Sequence, residues 1–175
     1  MTDADLVVAL VNARAKRRPP HARSAVEHDA LADAAGANAL LEPFLDHPLD
    51  EHELPAVRAL QRTVVAAVDA LIDGGEPPVE GLTTPAVYWL DREPDGTLRA
   101  TVRPMRASAP ASLVITVIRE LGELDPARLR RCARPECSLV FYDATRSGTQ
   151  RWHAESPCGL RERQRRHRAR HAGQT

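Results

Sequence analysis

Four metal-type side chains in the last third of the chain constrain its fold more than any other feature. They are spaced Cys132-x4-Cys137, then fifteen residues, then His153-x4-Cys158, and they include all three cysteines of the protein. Two paired half-sites rich in thiolate suit tetrahedral zinc, which takes Cys S⁻ and His N in a closed structural site. Cys132-Ala133-Arg134-Pro135-Glu136-Cys137 can turn back on itself so that two sulfurs meet one ion, and Pro135 helps to fix that turn. Ser138–Asp143 has strand character and leads into a polar loop, Ala144–Gln150. His153 and Cys158 then close the site at the start of a strongly basic last helix. For such modules the apparent metal-binding free energy is on the order of 10–16 kcal/mol, most of it folding energy.

The same spacing weighs against other chemistry. A catalytic zinc needs an open coordination position and a nearby general base, whereas four candidate ligands close the site. Neither cysteine pair has the C-x-x-C spacing of a redox dithiol. Glu136 and Glu155, beside the ligands, read as solvated surface charges. One structural Zn²⁺ per chain is expected.

The formal net charge of zero hides a division. Residues 1–124 hold 12 Lys/Arg against 19 Asp/Glu, a net of −7, and residues 125–175 hold 12 Arg against 5 Asp/Glu, a net of +7. Such asymmetry points to a basic appendage that meets a polyanion, with attraction between the two parts as the plainer reading. The acidic N-terminus and the short apolar run Leu6–Val11 do not make a secretory signal. No apolar run approaches the ~18–20 residues of a membrane span. Reduced thiolates for zinc suit the bacterial cytoplasm, and no membrane partner is expected.

The first 124 residues read as a mainly helical unit. Asp5–Asn12 is a short apolar helix or buried strand, ended by Arg17-Arg18-Pro19-Pro20. Val26–Phe44 has helical spacing, with Gly36 as a break between two short helices. Asp50, with Glu53 three residues on, forms a capping box. Leu54, Val57, Leu60, Val64, Val65, Val68 and Leu71 then trace one helical stripe, stopped by Gly74-Gly75. Pro94-Asp95-Gly96 between Val87–Leu90 and Leu98–Val102 marks a hairpin near residues 86–104, and helical spacing returns over Ala109–Leu121. Aromatics are only 3% of the chain, so the core must be aliphatic. The expected fold is α+β: mainly α with a small β-hairpin over residues 1–124, then a treble-clef-like zinc module over 125–175 ending in a basic helix. Asp125-Pro126 marks the boundary.

Cys132-x4-Cys137, Val140-Phe141-Tyr142-Asp143, Arg151-Trp152-His153, Cys158-Gly159-Leu160-Arg161 and the Arg-rich tail together resemble the CGNR zinc-finger family. A looser likeness over Asp5–Asn12 and the Leu54–Leu71 helix, with Arg58 and Arg62, is to the N-terminal ABATE domain that accompanies that finger. The resemblance implies a stress-induced transcription regulator. Two positions depart from the family pattern. His153 stands where the third ligand is usually Cys, which leaves an acceptable Cys₃His set with one negative charge fewer. Leu160 stands where the signature has Asn, and it cannot cap or make a polar contact.

Beyond Cys158 the helix carries Arg161, Arg163, Arg165, Arg166, Arg168 and Arg170 with almost no apolar residue. Arg161, Arg165 and Arg168 share one face, and Arg163, Arg166 and Arg170 another. A helix polar all round has no core contact to hold it, so the metal must fix its start. Arg suits phosphate and guanine edges, and Arg146 and Arg151 in the preceding loop add candidate phosphate contacts. Trp152, Phe141 and Tyr142 either stack on bases of single-stranded RNA or pack over the metal site.

Together with these features, the resemblance implies a transcription regulator that binds DNA through the zinc module, its N-terminal domain sensing a ligand or mediating association. The alternative is an adaptor whose basic helix docks on RNA or an acidic protein surface. A homodimer is compatible with either. No enzyme is expected, because residues 1–124 lack a Gly-rich phosphate loop and a nucleophile motif, and His28, His47 and His52 are scattered among acidic residues.

Overall fold

The protein is described as a computed structural model that covers the backbone of residues 4–17 and 26–172, and the side chains of 4–14 and 29–171. Among the described residues the α-helices and β-strands follow in order: α1 (Asp5–Asn12), β1 (Arg14–Arg17), β2 (Val26–Asp29), α2 (Ala34–Leu41), α3 (Leu54–Asp73), β3 (Ala86–Arg92), β4 (Leu98–Pro104), α4 (Ala109–Glu123), β5 (Leu129–Arg131), β6 (Val140–Tyr142) and α5 (Leu160–Ala172). The strands make three separate antiparallel pairs, β1–β2, β3–β4 and β5–β6. The fold is the expected mainly helical α+β arrangement. Among the described residues no helix is long and apolar enough to cross a membrane.

The core is aliphatic. Leu6, Val7 and Leu10 of α1, Val57, Val64 and Val68 of α3, and Leu113 and Val117 of α4 are all buried. Helix α3 follows its apolar stripe and ends at Gly74, whose φ of 74° lies in the left-handed region that favours glycine. The Gly75 amide then closes the end on the Ala70 carbonyl at 2.8 Å.

Three local expectations change in detail. Gly36 lies inside α2 instead of breaking a helix. A Cβ there would meet the Ala30 carbonyl oxygen at 2.6 Å, so the glycine serves close approach of two backbone segments. Residues 26–29, expected to be helical, form β2 against β1. Pro19 and Pro20, expected to end the first element, lie outside the described residues. The Asp50–Glu53 box exists, with the Glu53 amide on Asp50 Oδ1 at 3.0 Å and the Asp50 amide on Glu53 Oε2 at 3.3 Å, but it closes the turn before α3.

Two polar side chains set how the elements meet. The Glu120 carboxylate of α4, only 5% exposed, accepts the Leu6 amide at 3.2 Å and the Val7 amide at 2.8 Å. It therefore caps α1, whose own N-cap residue Ala4 has no side chain that can do so. Burial pushes the Glu120 carboxyl above its usual range, and the two amides pull it back. Asn12, at the end of α1, donates to the Val140 carbonyl at 2.8 Å and accepts the Val140 amide at 3.0 Å. Its amide group pairs with β6 as a further strand would.

Leu129 and Val140 belong to the same buried cluster as α1, α3 and α4. Arg131 reaches Asp69 at 2.7 Å and Asp73 at 2.8 Å on α3. The β5–β6 pair is thus fastened to the helical body by apolar, hydrogen-bonded and ionic contacts.

Candidate metal centre and basic helix

Cys132 follows β5 directly, and the Cys132–Cys137 segment is the start of the connection that returns the chain to β6. The Cys132 amide donates to the Leu139 carbonyl at 2.9 Å, and the Cys137 amide donates to the Arg134 carbonyl at 3.0 Å. These bonds fold the first half-site into a tight knuckle. The second half-site is drawn beside it by the Ala133 amide, which donates to the Arg151 carbonyl at 2.8 Å. An irregular turn over Glu155–Gly159, with Ser156 in extended backbone (φ −110°, ψ 126°), then carries Cys158 into position just ahead of α5.

The donor atoms of Cys132, Cys137, His153 and Cys158 all lie within 4.8 Å of one another. Cys137 Sγ is 3.5 Å from His153 Nδ1. Zinc bonds of about 2.3 Å to sulfur and 2.0–2.1 Å to nitrogen give a tetrahedral S···N edge of about 3.5 Å. The four residues fit the ion, and they are placed to hold one structural zinc. Cys132 and Cys158 are buried while Cys137 and His153 are half-buried, as suits a closed site at the edge of a module.

The electrostatics agree with that fit. Burial pushes the Cys137 thiol up to about 12, aided by the nearby Cys132 and Cys158 sulfurs. Burial also raises the Cys158 thiol, with Cys132 adding to the effect. Three sulfurs this close disfavour ionisation until a cation offsets their charge. When bound, zinc supplies that charge and takes the sulfurs as thiolates.

Arg134 is the functional residue that sequence reasoning missed. Its side chain is only 7% exposed, its Nε donates to Glu136 Oε2 at 2.9 Å, and the Cys158 sulfur and Glu136 carboxylate both favour its charged form. A buried guanidinium beside a thiolate offsets the excess negative charge of a Cys₃His site from the second layer. Only its place between two ligands hints at this in the sequence. Glu136, expected to be a plain surface charge, is the group that orients it.

The loop between the half-sites is organised by Asp143, which is fully buried. Its carboxylate accepts the Thr145 hydroxyl, the Thr145 amide at 3.0 Å and the Gln150 amide at 2.8 Å. The Thr145 hydroxyl chiefly, and then the amides, hold its carboxyl below the usual range. Arg128 donates to the Asp143 and Thr145 carbonyls, both at 2.8 Å, and Arg130 donates to the Gly148 carbonyl at 2.7 Å.

The arginines therefore divide into two sets. Arg128, Arg130, Arg131 and Arg134 hold the fold. Of the eight expected to meet nucleic acid, Arg146, Arg151, Arg163, Arg165, Arg166, Arg168 and Arg170 are exposed and Arg161 is half-buried. Arg163 pairs with Glu155. Arg165 and Arg166 both pair with Glu162, at 2.7 and 3.1 Å. Glu162 is only 4% exposed, and these arginines lower its carboxyl to about 2. Arg151 lies over the Trp152 ring, 5.5 Å from its centroid. Phe141 is buried, and the Tyr142 hydroxyl accepts the Asp125 amide at 3.4 Å. Phe141 is thus closed to base stacking, while Trp152 stays half-exposed.

A knuckle on a two-stranded hairpin, a second half-site and a closing helix define a structural zinc-binding module of the Cys₃His type. Residues 128–171 match the CGNR zinc finger family. The matched stretch contains β5, β6, all four donor residues and nearly all of α5. No curated protein matches the chain. Leu160, in the signature-Asn position, is the first residue of α5 and is 45% exposed.

Proposed function

We propose that the protein is a DNA-binding transcription regulator of the cytoplasm. In this reading the zinc module presents α5 to the duplex, and residues 1–124, an ABATE-like domain, sense a ligand or mediate association. The supporting observation is the partition of the arginines. Four serve the fold, whereas α5 displays Arg168 and Arg170 exposed and without an ion-pair partner among the described residues. The zinc site anchors the start of that helix, so its length can enter a groove as a preset rod. Arg offers phosphate a planar two-pronged contact and can read guanine in the major groove. Arg146 and Arg151 add phosphate contacts from the loop side. The protein acts by binding, and its zinc is structural, not catalytic.

The test is titration of fluorescent duplex DNA over a range of salt. Log affinity should fall linearly with log salt, with a slope of about −0.9 for each phosphate neutralised. Arg161→Ala, Arg165→Ala and Arg168→Ala combined should abolish duplex binding while one zinc per chain is retained. Unchanged affinity in that variant removes α5 from the interface. A pool of single-stranded RNA run in parallel serves the adaptor reading, which Trp152 favours because its ring remains half-exposed.

A further inference from the structure

Helix α5 carries a second set of metal-type donors. His167 and His171 stand four residues apart, so both project from one face of the helix, one turn from each other. Their ring centroids lie 4.4 Å apart, and the two Nε2 atoms meet at 3.2 Å. Both side chains are exposed, as is every residue of α5 from Arg163 to His171. Zinc binds imidazole nitrogen at about 2.0–2.1 Å, so two nitrogens 3.2 Å apart subtend about 103° at the ion. That angle lies between the right angle of an octahedral site and the tetrahedral angle. The same distance suits an N–H···N hydrogen bond in which one ring donates. A cation replaces that proton when both rings carry their proton on Nδ1 and turn an Nε2 lone pair to the ion.

We infer that His167 and His171 form a second metal site, an exposed two-nitrogen chelate for a divalent transition cation that imidazole favours, such as Zn²⁺, Ni²⁺ or Cu²⁺. It is distinct from the Cys₃His centre in donors, in exposure and in consequence. Two protein ligands leave the remaining positions of the ion to water or to an anion. Arg163, Arg166, Arg168 and Arg170 lie within a turn of the pair and oppose a cation, although Glu155 and Glu162 offset the first two. The site is therefore weaker than the thiolate centre and fills after it. Its effect falls on the end of α5, which has no core contact to hold it and sets like charges one turn apart. An ion shared by residues one turn apart ties that turn closed and stabilises the helix by mass action. Order at the end of α5 then follows the free metal concentration, whatever α5 itself binds.

Equilibrium dialysis of the full-length, zinc-loaded protein against further Zn²⁺ tests this, with helical circular dichroism recorded at each concentration. A second equivalent should bind, and the helical signal should rise with it. His167→Gln and His171→Gln should each weaken that second equivalent at least about tenfold, because one imidazole alone loses the intramolecular second contact. Both should keep the first equivalent and lose the rise in helical signal. His171→Ala combined with Ala172→His keeps two histidines but turns one off the shared face, so it should behave like the single variants. Absence of a second equivalent at millimolar free zinc overturns the inference. So does a second equivalent indifferent to these variants, which would place it on other surface groups, or one that binds without changing the helical signal.

Discussion

The helical body and the zinc module solve the same problem with opposite means. In the body, α1, α3 and α4 bury Leu, Val and Ala against one another, and polar groups such as Glu120 serve only to close a helix end. In the module, β5 and β6 have three residues each, and α5 is almost wholly polar. Order there comes from four metal donors, from Asp143 beneath the loop, and from Arg128, Arg130 and Arg134 reaching carbonyls and a carboxylate. Apolar burial scales with size, and a segment this short has too little of it. Charged groups that hold such a segment together cannot all be free to bind a ligand. Counting arginines therefore overstates the binding surface, and following each guanidinium to its partner corrects the count.

Removing the metal donor set should split the two regions most strongly. Cys158→Ser is expected to forfeit much of the ~10–16 kcal/mol that zinc contributes to such modules. Amide hydrogen exchange should show residues 128–172 losing protection while α1, α3 and α4 keep theirs. Loss of protection across the helical body in the same variant would break the comparison, because the body would then depend on the metal too.

The contrast also explains what the sequence made readable. A long helix with a regular apolar stripe, such as α3, announces itself because one face must meet the core every third or fourth residue. The Pro94-Asp95-Gly96 hairpin and the Cys/His quartet are equally local signals, each fixed by the chemistry of a few neighbouring residues. Contacts made across the chain leave no such trace. Glu120 caps α1 from 113 residues away, and nothing near either partner in sequence points to the other. Gly36 reads as a helix breaker, yet it is set by the approach of the Ala30 carbonyl. Arg134 and Arg168 are the same residue type in one basic stretch, and only packing separates the fold-holding cation from the exposed one.

Asn12 marks the seam between the regions, and its removal sharpens where they join. Asn12→Ala leaves the buried amide and carbonyl of Val140 without their side-chain partner. Such an unsatisfied pair costs about 1–3 kcal/mol. Thermal unfolding should shift down by several degrees, with zinc stoichiometry unchanged. If the variant unfolds in two separate transitions, Asn12 is what couples the body to the module. A single lowered transition shows that Leu129, Val140 and the Arg131–Asp69/Asp73 pairs suffice to keep them cooperative.

The smallest expected effect lies within α5, where Glu162 separates local helix stability from metal binding. Its carboxyl is held at about 2 by Arg165 first and Arg166 second. A depressed carboxyl contributes stability that is whole above the ordinary Glu value of about 4.3 and is lost only as pH falls towards 2. The thiolates release zinc to protons earlier in an acid titration. Wild type and Glu162→Gln should therefore lose helical circular dichroism and zinc at the same acid midpoint, with the variant slightly less helical at every pH above it. The variant removes an acid from the first turn of the helix and leaves like-charged neighbours unopposed, and both changes weaken α5. It also frees two guanidinium groups, so duplex DNA should bind it more tightly at low salt than at high salt, relative to wild type. A shifted acid midpoint would mean that Glu162 helps to hold the metal site and does not merely steady the helix beyond it.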